Sequence, residues 1–175
     1  MLKSKGMVYI FTGEGKGKTS AGMWTAMRAA LNEMRVAVIH WYKEERWKTN
    51  DQKIKDLLPN LKDYLMGEGF YKLPTDHAGE DEHGAAARAA LRKAEKLIGK
   101  VDLLVLDEVI NAIGDGLVEE RELVELIEGR GETNIVLTGR GASEKLMEMA
   151  DLVTEMKKIK HPFDKGKKAM RGLDF

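Results

Sequence analysis

The chain has 175 residues, with 29 basic and 29 acidic side chains and no cysteine. That length suffices for one domain with a packed core. The charge balance argues against a polyanion as bulk partner, so no nucleic acid is expected. Without cysteine there are no disulfides, thiolate metal sites, Fe–S clusters or cysteine nucleophile. Apolar runs such as residues 103–106 are too short to span a bilayer, and no long apolar segment follows the N-terminal lysines. A cytoplasmic protein without membrane contact is the expectation.

Residues 7–12 read as the first strand, and Gly13-Glu14-Gly15-Lys16-Gly17-Lys18-Thr19-Ser20 follow directly. A strand running into a glycine-rich turn and then a helix is the context of a phosphate-binding P-loop. Glycines let backbone N–H groups converge on an anion. The helix adds its unpaired donors and the positive end of its dipole. In this pattern Lys18 reaches phosphate oxygens and the Thr19 hydroxyl holds Mg²⁺. The usual spacing asks for a glycine where Thr12 stands, so Gly13 and Gly15 make a variant loop.

A helix is expected over 19–34 and a second strand over 35–42. His40-Trp41-Tyr42 and Trp47 form an aromatic cluster among lysines and glutamates. A ring such as Trp41 can stack on a base or another flat ring, or pack at the strand end. A short helix over 51–58 stops near Pro59, and an alanine-rich helix covers 80–98. Acidic residues at its start complement the helix dipole, so Asp76, His77 and His83 are not read as a metal site.

A strand over 101–107 delivers Asp107 and Glu108 at its end. This is the Walker B pattern, in which a buried strand brings an acid beside the P-loop to hold Mg²⁺. Either carboxylate can serve, and Glu108 could instead act as a base toward water. Helices over 117–127 and 143–149, the latter with Ser143 as N-cap, alternate with strands over 134–138 and 152–155. Leu137-Thr138-Gly139-Arg140-Gly141 places Arg140 at a strand end, where it can bind a phosphate by two parallel hydrogen bonds or pair with an acidic neighbour.

The strand interiors are nearly continuous Val, Ile and Leu, as in strands buried on both faces. Alternating β and α segments imply an α/β fold, a mostly parallel doubly wound sheet with right-handed crossovers. Ligands then lie beyond the carboxyl ends of the strands. Residues 1–156 are expected to form the nucleotide-binding domain. Residues 157–175 lose periodicity and form a basic tail, whose His161-Pro162-Phe163 turn suggests docking near the nucleotide site.

Five segments in order carry a family resemblance. They are Phe11-Thr12-Gly13-Glu14-Gly15-Lys16-Gly17-Lys18-Thr19-Ser20, Val105-Leu106-Asp107-Glu108, Leu137-Thr138-Gly139-Arg140, Ala150-Asp151-Leu152-Val153-Thr154-Glu155-Met156 and Lys160-His161-Pro162-Phe163-Asp164-Lys165-Gly166. Over nearly the whole chain they resemble the P-loop-type ATP:corrinoid adenosyltransferases, the cob(I)alamin adenosyltransferases. The resemblance implies a homodimer of RecA-like fold that transfers the 5′-deoxyadenosyl group of ATP to cobalt(I) of a corrinoid and releases triphosphate. ATP would lie in the loop the opposite way round from ordinary NTPases. Gly13, Glu14, Gly15, Lys16, Gly17, Lys18, Thr19 and Ser20 would wrap the triphosphate. Thr19 and Glu108 would bind Mg²⁺ or Mn²⁺, and Phe70 would be the corrinoid-side aromatic.

Three departures stand against that pattern. The family's Gly-Phe-Thr-Trp is here Gly69-Phe70-Tyr71-Lys72, and its Gln-Phe-x-Lys-Gly is His40-Trp41-Tyr42-Lys43-Glu44. Few residues precede the first strand, where longer relatives have a covering segment, so a more open corrinoid site, or closure by the tail, is expected. Lacking cysteine, the chain would need an external reductant, a flavin or flavoprotein, to make cobalt(I). From the motifs alone, a P-loop NTPase or kinase yielding ADP, or a non-catalytic ATP-binding partner protein, remain the alternatives.

Overall fold

Strands β1 (Val8–Thr12), β2 (Val36–His40), β3 (Leu61–Leu65), β4 (Leu103–Asp107), β5 (Asn134–Thr138) and β6 (Leu152–Glu155) pair in parallel in the order β3-β2-β4-β5-β1-β6. This computed structural model describes residues 4–44, 46, 53–73 and 76–174. Trp47 and the first residues of the helix expected over 51–58 lie outside the described residues. The sequence reading of a parallel α/β sheet is met. β3 was not foreseen: in Leu61-Lys62-Asp63-Tyr64-Leu65 two charges break the apolar run, because on this edge strand Lys62 meets solvent while Asp63 is buried against His40.

The central strands are buried on both faces, and each face has its own core. One face packs α3 (Glu80–Leu97), α4 (Val109–Gly114), α5 (Glu120–Glu128) and α6 (Glu144–Met149) over Ile10, Ile39, Leu104, Leu106, Ile135 and Leu137. The other packs α1 (Lys18–Leu31) over Val36, Val38, Val105 and Val136, with α2 (Ile54–Leu57) near β3. α4 has six residues, under two turns, too brief for periodicity to announce. α5 starts later than expected because Glu119 and Glu122 form a capping box there. Ser143 caps α6 as anticipated, accepting from the Leu146 amide at 3.2 Å.

The α1 face is incompletely covered toward β1 and β6. Tyr9 and Phe11 are half-buried there, Leu152 is exposed, and Met7, Trp24 and Leu31 are exposed nearby. No helix among the described residues is long and apolar enough to cross a membrane.

Candidate active site

Strand β1 ends at Thr12, and the variant loop turns into α1 at Gly17, whose φ of 121° only glycine adopts without strain. The loop lies against the end of β6. The Gly15 amide donates to the Met156 carbonyl at 2.5 Å, and a Cβ on Gly15 would come within 2.6 Å of that same oxygen. The unusual glycine spacing therefore has a local cause: β6 occupies the flank of the loop, and only a side-chain-free backbone passes it.

Lys18, at the first turn of α1, donates to the carbonyls of Gly13 at 2.6 Å and Gly15 at 2.8 Å. Its ammonium thus sits inside the curve of the loop. Burial and the Arg140 guanidinium lower its pKa, while Glu14 and Glu108 oppose that shift. Arg140 follows β5 and its Nε lies 3.5 Å from a Glu14 carboxylate oxygen, both side chains being largely exposed. So exposed a pair holds Arg140 weakly and leaves it able to take an anion. The Arg140 amide donates to Asn111 Oδ1 at 2.7 Å, which ties the end of β5 to α4.

Asp107 and Glu108 lie side by side but do different things. Asp107 is wholly buried: Oδ1 accepts from the Thr138 hydroxyl and Oδ2 from His40 Nδ1, both at 2.7 Å. These bonds hold its pKa down, at about 2, against burial. Glu108 is half-buried, caps α4, and takes a left-handed backbone with φ of 65°. Its amide donates to the Thr138 hydroxyl at 2.8 Å. Burial and the adjacent Asp107 carboxylate push its pKa up to about 7. A carboxylate destabilised in this way favours a nearby cation. Glu108 and the Thr19 hydroxyl are hard oxygen donors, which fits Mg²⁺, an ion that takes one or two protein ligands and completes its shell with phosphate and water. Asp107 fits less well, since both its oxygens are engaged.

The other expected residues fall beside this edge. Phe70 is 43% exposed on the loop after β3, and Gly69 before it has φ of 96°. The Gly67 amide donates to the Lys43 carbonyl at 3.1 Å, so this loop runs along the segment leaving β2. Trp41 is 4% exposed and belongs to the larger core, so its ring follows the packing alternative in this conformation. Lys16 reaches the tail, with Nζ 2.8 Å from Asp174 Oδ1. His77 and His83 pair separately, His83 Nε2 with Asp76 at 2.8 Å and His77 Nε2 with Glu44 at 3.3 Å.

Sequence reasoning missed the groups behind the site. His40 read as part of an aromatic cluster, yet it is fully buried between Asp107 and Asp63, whose oxygen is 2.9 Å from Nε2. Burial alone would lower its pKa, but the two carboxylates win and hold it at about 9. Tyr42 donates to Asp115 and is raised by burial and that carboxylate. A polar residue closing an apolar strand beside the Walker B strand was the available signal for His40.

A parallel sheet with a P-loop at the end of β1 and an acidic strand end at β4 defines a P-loop nucleotide-binding protein. The sequence profile described as ATP:corrinoid adenosyltransferase BtuR/CobO/CobP matches residues 4–175, and the chain belongs to that family. It is 36% identical over 176 residues to a corrinoid adenosyltransferase of Sinorhizobium sp, spanning 98% of this chain and 81% of that protein. It is 30% identical over 175 residues to one of Escherichia coli strain K12, spanning 98% and 86%. It is 29% identical over 177 residues to CobA of Salmonella typhimurium strain LT2, spanning 99% and 87%. The flagellar accessory protein FlaH of Methanocaldococcus jannaschii shares the fold, with a TM-score of 0.52 and 14% identity over 86% of this chain and 70% of that one. The protein is a transferase that moves the adenosyl group of ATP to cobalt(I) of a corrinoid.

Proposed function

We propose that catalysis rests on the loop of Gly13, Gly15 and Gly17 with Lys18 and Arg140 binding triphosphate, on Thr19 and Glu108 holding Mg²⁺ or Mn²⁺, and on Phe70 facing the corrinoid. The observation that carries this is the convergence of Lys18, Arg140 and Glu108 at one end of the sheet, each within electrostatic reach of the others. Cobalt(I) of the substrate is itself the nucleophile, so no protein base is required. The cobalt–carbon bond forms as the C5′–oxygen bond breaks, and triphosphate leaves with the electron pair. The chain must align the two substrates and stabilise the departing charge. Lys18, the loop amides and Arg140 suit the second task, and the divalent ion would neutralise further phosphate charge when bound.

The exposed face of Phe70 supports a role beside cobalt, where an apolar wall keeps water off cobalt(II) and eases its reduction by an external flavin or flavoprotein. Trp41 would join the ligand contacts only by leaving its packed position. The Lys16–Asp174 pair supports a tail docked over the loop. The half-covered face of β1 and β6 supports a homodimer, which light scattering in solution would measure. The central test is an anaerobic assay with ATP, Mg²⁺ and chemically reduced cob(I)alamin. Light-sensitive adenosylcobalamin and triphosphate are the expected products. ADP and phosphate with the corrinoid unchanged would overturn this reading.

A further inference from the structure

A continuous line of hydrogen bonds runs across the carboxyl ends of four strands. Asp63 on β3 faces His40 Nε2 at 2.9 Å, and His40 Nδ1 faces Asp107 Oδ2 at 2.7 Å. Asp107 Oδ1 accepts from the Thr138 hydroxyl at 2.7 Å, and that hydroxyl accepts from the Glu108 amide at 2.8 Å. The side chains of Asp63, His40 and Asp107 are 3%, 0% and 1% exposed. Both ring nitrogens of His40 face carboxylate oxygens, so both donate and the ring bridges as a cation. Asp63 pairs in register with Val38, two residues before His40, so the contact is a diagonal across the β2–β3 ladder.

Stability does not account for this line. A buried ion pair contributes little over a well-packed apolar pair of the same volume, because desolvation offsets attraction. Here His40 and Asp107 close strands made otherwise of Val, Ala, Ile and Leu, and Asp63 is buried on the neighbouring edge strand. The line ends at the amide of a non-glycine residue in a left-handed conformation, which persists only where its surroundings impose it. At that residue the chain turns from β4 into α4, and the Glu108 carboxylate accepts from Asn111 Nδ2 at 3.4 Å within electrostatic reach of Lys18.

We infer that His40 is a positioning residue: by joining Asp63 to Asp107 it fixes the Asp107–Thr138 contact, and through it the orientation of Glu108 toward metal-bound ATP. This inference rests on the proposed role of Glu108 as a metal ligand. His40 touches neither substrate. Groups that hold a ligand from behind are typically worth about 10- to 100-fold in metal affinity.

The test is titration calorimetry of ATP binding, with Mg²⁺ and with EDTA, on the wild type, His40→Gln and Asp63→Asn, alongside melting temperatures. The wild type should bind ATP more tightly with Mg²⁺. His40→Gln should reduce that gain about tenfold while binding in EDTA stays nearly unchanged, and Asp63→Asn should reduce it less. If His40→Gln does not fold, Asp63→Asn, at the far end of the line, decides alone. Lowered melting temperatures with an undiminished Mg²⁺ gain would make His40 purely structural and overturn the inference. A wild type indifferent to Mg²⁺ would overturn the reading of Glu108 itself, a failure seen without any variant.

Discussion

The two halves of the sheet's carboxyl edge are built on opposite plans. On the β1–β5 side the charged groups Glu14, Lys16 and Arg140 are largely exposed and loosely paired. On the β2–β4 side the charged groups His40, Asp63 and Asp107 are sealed from water and fully bonded. Exposed charges can exchange one partner for another at little cost, which suits a surface that takes and releases a polyanion. Buried charges cannot, since each broken bond leaves an unsolvated group, which suits a frame that must not move. Lys18 and Glu108 lie on the seam, half-buried and each shifted from its ordinary pKa.

Lys18→Ala gives the sharpest test of the binding side. It removes the cation inside the loop and should lower kcat/KM in the anaerobic adenosyl-transfer assay about 100-fold or more. Its melting temperature should barely move; a large fall would place Lys18 with the frame instead. Glu108→Gln comes next. Both pKa-raising causes vanish with its charge, so stability should hold or rise near neutral pH, while the Mg²⁺ concentration for half-maximal rate rises about tenfold. A variant with unchanged metal demand would detach Glu108 from the metal.

Phe70→Ala should lower activity several-fold when the assay starts from cobalt(II) with a reductant and less when it starts from cobalt(I). Equal loss in both would remove Phe70 from the reduction step. Asp76 provides a smaller effect at a distance from the site. Its bond from His83 holds the carboxyl at about 2, below the ordinary 3.8, so the folded state favours its ionised form. The stability this contributes is complete above about pH 4 and fades as pH falls through 2, so Asp76→Asn should flatten that part of the acid melting profile. The smallest expected change is Asp174→Asn. The Lys16 pair is partly exposed, so ATP affinity should shift by less than about threefold. A larger shift would mean that the tail is an integral wall of the site.

Most of the frame was legible in the chain, for reasons that differ by element. The strands from Val36, Leu103 and Asn134 announce themselves because burial on both faces demands unbroken apolar runs, and β1 does so although one of its faces is only half-covered. β3 was silent because Lys62, exposed at the sheet edge, and Asp63, bonded inside to His40, break its apolar run. The turn of Gly13 to Gly17 was legible because a glycine-rich run directly after an apolar strand marks a tight passage into a helix. Trp41 was ambiguous, since an aromatic at a strand end can equally face a ligand or the core; here it faces the core. His40 was misleading, because its neighbours Trp41 and Tyr42 suggested stacking while its bonding partners lie on other strands.

The amino-acid order by itself determined the alternation of strands and helices, the glycine-rich loop, the acidic strand end and the family to which the chain belongs. Each element and each motif is local, read from neighbouring residues, and the family follows from the order of those motifs along the chain. The tertiary structure alone decided which carboxylate is available. Asp107 and Glu108 are neighbours of similar chemistry, and nothing local separates them. The strand order puts β2 and β5 on either side of β4, so His40 and Thr138 close over Asp107 and leave Glu108 at the seam. The contacts that make this distinction span 67 and 31 residues of chain, and only the folded sheet brings them within hydrogen-bonding distance.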